Sequence, residues 1–491
     1  MLFNSIDFAI FLPIVFIFYW FITSRNLKLQ NILILVADYI FYAWWDWRFL
    51  SLVITSSLIA FIFGKLSGQT DQKSKQKIYL IISILTNIGI LVFFKYYNFF
   101  VASFVDAFKI FGVSFNPGTL KIILPIGISF YTFQALSYTI DVYYKKIKPT
   151  NDIISFFAYI SFFPQLVAGP IERAINLLPQ FQKARKFDLL AAKDGLRQIL
   201  WGLFKKIVIA DYCAVLVNEI FHNYSNLNSS TLILGAVLFA IQIYGDFSGY
   251  SDIAIGTARL FGFNLMRNFT FPYFAKNIAD FWRKWHISLT TWFRDYLFLP
   301  VAYATSRKIK SEKVLKVKAD IWIYLVALFV TWFVTGLWHG ANWTFIIWGL
   351  LHGLLLFLYK ITGKVRKRMF KALKINYKSS IIIFFEFCFT MIFVNITWIF
   401  FRATSINEAF SYLHQIFTTS ILVFPEVYFR PVLAYSVVLF IVEYVQRNKE
   451  HALDFTNIRM PRILRWTIYV VIILFIFTYG GSQQQFIYFQ F

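Results

Sequence analysis

Cysteine is nearly absent from this chain: two in 491 residues, Cys213 and Cys388, each inside an apolar run. That excludes a disulfide framework and a thiolate metal cluster. Acidic side chains are also scarce, 24 against 48 Lys and Arg. No G-x-S-x-G elbow, no H-E-x-x-H and no G-K-[ST] phosphate loop occurs, so serine hydrolase, metalloprotease and ATPase readings lose support. The six histidines are too scattered to suggest a zinc site, and no metal is expected. Ten-residue alternation of the barrel-strand kind is missing. Internal repeats and inverted pairs of broken helices are missing too, which weakens a secondary-transporter reading. The start lacks the basic stretch of a signal peptide, and Asp7 precedes the first apolar run, so residues 8–22 read as a retained helix.

What the chain has in excess is apolar side chains. They make up 59% of it, 21% being aromatic, and mean hydropathy is +0.62. Soluble domains average about 45–50% apolar. Runs long enough for about 30 Å of hydrocarbon recur along the whole length. The expected fold class is an all-α polytopic membrane protein. Candidate spans are roughly 5–23, 29–45, 48–64, 78–98, 121–140, 201–221, 231–250, 321–338, 343–359, 381–401, 431–446 and 464–480, which sets about 11–13 transmembrane helices. Segments 151–168 and 277–300, interrupted by Pro, Gly or charge, read as re-entrant or interfacial helices buried in protein.

The formal charge of +24 would suggest nucleic acid in a soluble protein. Here the cations lie in short loops between apolar runs, where they encode topology and attract anionic lipid head groups, so no nucleic-acid partner is expected. The basic segments are 360–378, 307–318, the Lys65 and Lys73–Lys77 loop, and Lys145–Lys148; by the positive-inside tendency all four are cytoplasmic. The uncharged "HNYSNLNSS" (222–230) and the terminal "GGSQQQFIYFQF" then face outward, with both termini outside. On this topology His339 lies near an outward turn.

Ionisable side chains at membrane depth cost at least about 2.5–3.5 kcal/mol and mark functional sites by default. In "GLWHGANW" (336–343), His339 stands between Gly336 and Gly340, glycines that would let a substrate approach the backbone, with Trp332, Trp338 and Trp343 as an apolar wall and Asn342 alongside. The bland alternative is a histidine donating to a carbonyl at a helix turn. In "DFWRKWHISLTTWFRDYLFLP" (280–300), a helix would set Trp282, Trp285, His286, Leu289 and Phe293 along one stripe, with Arg283 to the side and His286 approaching from the inner face. On pattern alone, an interfacial amphipathic helix with tryptophan anchors and a snorkelling arginine is the preferred reading. In "YGDFSGYSDIAIGTARLFGF" (244–263), Asp246 and Asp252 lie beside Ser248 and Ser251 and can pair with Arg283 or Arg294; a structural ion-pair network is the preferred reading.

These stretches, together with "FFPQLVAGPIER" (162–173) and the continuation to "WTFIIWGLLHG" (353), resemble the bacterial membrane-bound O-acyltransferase family. The resemblance spans roughly residues 1–491 and is greatest to the branch of the alginate and peptidoglycan O-acetyltransferase membrane proteins. It implies one domain, with N-terminal helices over 1–150, the core motifs over 151–360, and C-terminal helices and outer tail over 361–491. It also implies a ring of tilted helices around a thinned centre with an outer funnel, and a site at His339 and His286. The group moved would be acyl, in this branch usually acetyl, from acetyl-CoA or another cytoplasmic acyl thioester, with no tightly bound cofactor. A periplasmic or extracellular serine-hydrolase-like partner would pass it to a polysaccharide hydroxyl. The implied location is the bacterial cytoplasmic membrane.

A neutral imidazole can take the proton of an acceptor hydroxyl, the role expected of His339, while His286 lines the donor side or orients the thioester. The last six residues, "FIYFQF", resemble the chain end of this branch, which sets Tyr488 near the funnel mouth as a candidate acyl carrier; an aromatic interfacial anchor is the alternative. After the "RDYLFLP" stretch, "VAYATSRKIKSEK" replaces the Gly-rich turn of many alginate-type members, leaving peptidoglycan or another surface glycan open. D-alanyl transfer to teichoic acid and a non-enzymatic channel are the competing functions.

Overall fold

In a computed structural model, residues 1–109, 111–112, 120–167, 169–376, 379–455, 458, 460–479 and 483–489 are described. Lys378 of the basic segment, Ala168 of "FFPQLVAGPIER" and part of the terminal tail lie outside the described residues. The architecture is helical; among the described residues the only strands are Lys313–Val314 and Val317–Lys318, an antiparallel hairpin.

Among the described residues, seven helical stretches are long and apolar enough to cross a membrane, and Leu27–Gln69 among them holds two of the spans read from sequence. Four other sequence spans form shorter or interrupted elements. Ile128–Tyr143 and Arg430–Val445 have 16 residues each. The first span passes into a π-helical turn at Phe18–Ile22, and the 201–221 span carries one at Phe204–Ala210 beside Lys205 and Lys206. The basic 360–378 segment is not a loop throughout: Trp343–Ala372 continues as helix through Lys360, Lys364 and Lys371. Lys and Arg are good helix formers, so a charged extension adds turns beyond the apolar run at little cost.

The chain divides into two compact units. The first comprises Met1–Leu200 and Tyr250–Met266. Its core is aromatic, with Phe162, Phe181 and Phe263 mutually packed at ring separations of 4.5–5.4 Å. Buried Asp38 accepts the Phe163 N–H at 2.7 Å, which fixes the break between the Ile153–Ser161 and Phe163–Leu166 helices. The "FFPQLVAGPIER" segment is therefore a structural element of this unit: Gln165 donates to the Tyr159 carbonyl at 2.9 Å, and Glu172 accepts the Met266 N–H.

The second unit comprises Trp201–Gly249 and Arg267–Phe491. Within it, helices Ala319–His339 and Trp343–Ala372 lie backbone against backbone. A Cβ on Gly349 would strike the Trp332 carbonyl oxygen and come within 3.1 Å of Gly336 Cα. Gly349→Val is expected to force these helices apart, costing about 1–3 kcal/mol through overpacking. A lowered thermal unfolding midpoint in detergent checks this, and an unchanged midpoint contradicts the packing.

Candidate functional site

His339 ends the Ala319–His339 helix, and Asn342 opens the next. Asn342 caps that helix: its side chain accepts the Thr344 N–H at 3.0 Å and donates to the Thr404 carbonyl at 2.8 Å. Such a cap contributes about 1 kcal/mol and fixes the turn that presents the histidine. The imidazole is buried, 4% exposed. Trp338, Trp348 and Phe401 surround it at ring separations of 5.0, 4.8 and 5.1 Å.

Two expectations about this turn need correcting. Gly336 and Gly340 do not open the backbone to a substrate, because a Cβ on either would collide with Phe345, through its carbonyl oxygen and its ring respectively. They admit the neighbouring helix. Trp343 is 49% exposed and forms no part of the wall; Trp348 takes that place, at 0%.

The 280–293 segment is not one helix. Ile278–Lys284 and Ile287–Phe293 are separated by Trp285, which is extended, and His286, which has left-handed backbone geometry, φ 42° and ψ 54°. A non-glycine residue there is strained and persists only where its surroundings hold it. The holder is Asn268. Its backbone carbonyl accepts the Ile287 N–H at 2.9 Å. Its side-chain oxygen accepts from the Ser288 hydroxyl at 2.9 Å and from the Ser288 N–H at 3.4 Å, and lies 2.9 Å from His286 Nδ1.

An oxygen that takes two donors from Ser288 is an acceptor toward His286 as well, so Nδ1 carries the ring proton. Nε2 then presents its lone pair, and among the described residues it has no hydrogen-bond partner. An imidazole held in this tautomer can accept a proton at Nε2. Trp285 is buried beneath it, stacked on Phe281 at 5.5 Å. Arg283 is exposed.

The structure also brings the chain end to the site. Tyr488 stands beside both imidazoles. Its ring centroid lies 5.7 Å from His339, 6.2 Å from His286 and 4.4 Å from Phe247. The two imidazoles lie close to one another. Both flank one tyrosine and one indole, Trp338 being 6.0 Å from His286 and 5.0 Å from His339. Charge patterning assigns loops to sides of the membrane, but it says nothing of how deep a broken helix reaches between them.

A buried ionic network holds the tail. Lys206 Nζ lies 2.7 Å from Asp211 and 2.8 Å from Asp246, and donates to the Gln484 carbonyl at 3.2 Å. The second Asp246 oxygen accepts the Ile487 N–H at 2.7 Å. Asp246 pairs with Lys206, and not with Arg283 or Arg294; Arg294 is exposed and bridges Asp295 at 2.7 Å. Asp252, in the other unit, accepts from Gln198 at 2.8 Å. Ser248 accepts from Lys205 at 2.9 Å. The preferred sequence reading, a structural ion-pair network, fits Asp246, though its cation, Lys206, sits in the π-helical turn at Phe204–Ala210.

Sequence reasoning missed Asn268, Lys206 and Trp348 as site residues. It also passed over His352, which is a satisfied core histidine: Trp282 donates to Nδ1 at 3.3 Å, and Thr397 lies 2.9 Å from Nε2. Among the described residues no cluster of His, Cys, Asp or Glu has a metal-binding arrangement.

A helical membrane protein with two buried imidazoles near one tyrosine ring carries groups able to move a proton. Comparison with known sequences identifies the class. The membrane-bound O-acyltransferase family matches residues 39–403, and the chain belongs to it. It is thus an O-acyltransferase and a multi-pass membrane protein. Both histidines fall inside the matched range, and Tyr488 lies beyond it.

Among curated relatives, the chain is 37% identical over 412 residues to "Probable alginate O-acetylase AlgI" of Pseudomonas syringae pv. tomato, covering 83% of this chain and 74% of that protein. It is 29% identical over 544 residues to "Peptidoglycan O-acetyltransferase" of Helicobacter pylori, covering 100% and 98%. A "Teichoic acid D-alanyltransferase" of Bacillus subtilis is 30% identical over 255 residues, covering 50% and 60%. The D-alanyl reading therefore rests on a partial likeness, and a family of acyl-transferring enzymes sets the channel reading aside.

Proposed function

We propose that the chain O-acetylates a cell-envelope or secreted polysaccharide, moving acetyl from a cytoplasmic thioester through Tyr488 as a covalent relay. The observation that carries this reading is the tyrosine ring held between His286 and His339. In the first step His286 Nε2 takes the phenol proton, the tyrosine oxygen attacks the thioester carbonyl, and the C–S bond breaks. The departing thiolate takes up the proton. In the second step His339 takes the proton of an acceptor hydroxyl, whose oxygen attacks the tyrosyl ester. The ester C–O bond breaks and the proton returns to Tyr488.

The donor fits acetyl-CoA or a similar thioester, because a tyrosyl ester is itself activated and only a donor of comparable activation can load it. The final acceptor fits a glycan hydroxyl, reached directly or through a serine-hydrolase-like partner on the outer side of the cytoplasmic membrane. The extended aromatic packing around Tyr488 supports the relay over an interfacial anchor, which would face head groups.

The test is mass analysis of groups released from the envelope glycan by mild base, in cells carrying wild-type protein or Tyr488→Phe. Loss of glycan acetate with Tyr488→Phe is expected. Normal acetate would remove the relay, and released D-alanine in the wild type would replace the acetyl reading.

Asn268→Ala separates positioning from folding. Loss of its acceptor costs about 1–3 kcal/mol, or roughly tenfold to a hundredfold in kcat if felt in the transition state. Asn268→Asp keeps the acceptor and is expected to recover much of the rate. Equal activity in wild type and Asn268→Ala would contradict the tautomer assignment.

A further inference from the structure

At the basic end of the Trp343–Ala372 helix, two cavities of the second unit adjoin. The larger, about 760 Å³, is a cup lined by Lys276, Lys360, Lys364, Arg366 and Lys367. Among the described residues, Glu386 is the one carboxylate in its wall, 2.8 Å from Arg366. The smaller, about 270 Å³, is lined by apolar Leu355, Leu358 and Phe389 with Thr362 and Thr390. The cavities share Asn277, Tyr359, Arg366 and Glu386.

Parts of the cup are already fixed. The Arg366 guanidinium lies over the Tyr359 ring at 4.2 Å and donates to the Tyr359 carbonyl at 3.2 Å. Lys360 Nζ sits 3.4 Å over the Tyr324 ring. Asp280 faces Lys284 at 3.0 Å and accepts the Lys276 N–H at 3.0 Å, so its charge does not cancel the cup.

The surroundings say where an occupant comes from. Helix Ser380–Arg402, which supplies Phe389 and Glu386, has only 17% of its apolar window buried. Its Ile381, Phe385 and Phe389 are 60–68% exposed. The cavities thus open onto a surface of the kind that lipid covers. A cluster of cations beside such a surface matches an anionic head group, and the apolar slot beneath matches a chain attached to it.

We propose that the two cavities form a binding site for an anionic phospholipid, its phosphate in the cup and the first part of an acyl chain in the slot. The site is separate from the histidine chamber and does not rest on the transfer chemistry.

Native mass spectrometry of the full chain in detergent, with phosphatidylglycerol or phosphatidylcholine added, tests it. Preferential retention of phosphatidylglycerol is expected. Combined Lys360→Gln, Lys364→Gln and Lys367→Gln substitutions are expected to lower that retention about tenfold or more. Thr362→Phe, which fills the slot, should lower it with every cation in place. Lys313→Gln, Lys316→Gln and Lys318→Gln in the hairpin remove equal charge elsewhere and should leave it unchanged. Equal loss in the hairpin variant would overturn the proposal, as would equal retention of the two lipids. Displacement of phosphatidylglycerol by inorganic phosphate at equal phosphate concentration would also overturn it, since a free anion has no use for the slot. If the triple variant does not fold, Thr362→Phe and the two-lipid comparison still decide.

Discussion

His339→Ala is expected to lower acyl transfer by about 10²–10⁴-fold while the protein still inserts and accumulates. The size of the effect follows from the role: with the imidazole gone, the three rings packed most closely on it supply no base in its place. Trp338, Trp348 and Phe401, its neighbours, offer only an indole donor or an apolar face. His339→Gln fills more of the space and retains polarity without a matched base, so it should be better folded and nearly as inactive. Glycan O-acetyl content, normalised to protein in the membrane, is the readout. Normal acetyl content in His339→Ala would remove the catalytic assignment.

Lys206→Met is expected to have the largest effect on stability. It leaves Asp211 and Asp246 buried at 2% exposure each with their shared cation removed. Breaking such a pair by deleting one partner costs about 3–5 kcal/mol, because the remaining charge is uncompensated. The same lysine donates to the Gln484 carbonyl, and Asp246 holds the Ile487 N–H. Loss of the network should therefore release the tail as well as lower the thermal unfolding midpoint. Asp246→Asn keeps an oxygen for Ile487 and should cost less. An unchanged midpoint with Lys206→Met, together with unaltered protease sensitivity of the chain end, would show that the network does not hold the tail.

Hydropathy made the helical class and most spans legible, because about twenty apolar residues in a row have few other uses. Both histidines were legible as costly residues in apolar sequence. What sequence did not reveal was nearly all a matter of long-range pinning. The break at His286 depends on Asn268, eighteen residues upstream, and a periodic stripe through Trp282, Trp285 and Phe293 reads the same with or without it. The cation for Asp246 sits in a π-helical turn at Lys206, and nothing local distinguishes it from Arg283 or Arg294. Gly336 and Gly340 were visible as special positions but not as space for Phe345. Tyr488 was legible only through the likeness of the chain end, and its position beside both imidazoles was not legible at all.

The most direct measurement of the central claim is peptide mass spectrometry of the chain end, on protein purified from cells carrying His286→Ala or His339→Ala. If one imidazole loads the tyrosine and the other unloads it, His339→Ala accumulates an acetyl ester on Tyr488 and His286→Ala carries none. An unmodified Tyr488 in His339→Ala would contradict the relay, and an acetylated one in His286→Ala would contradict the assignment of the two bases.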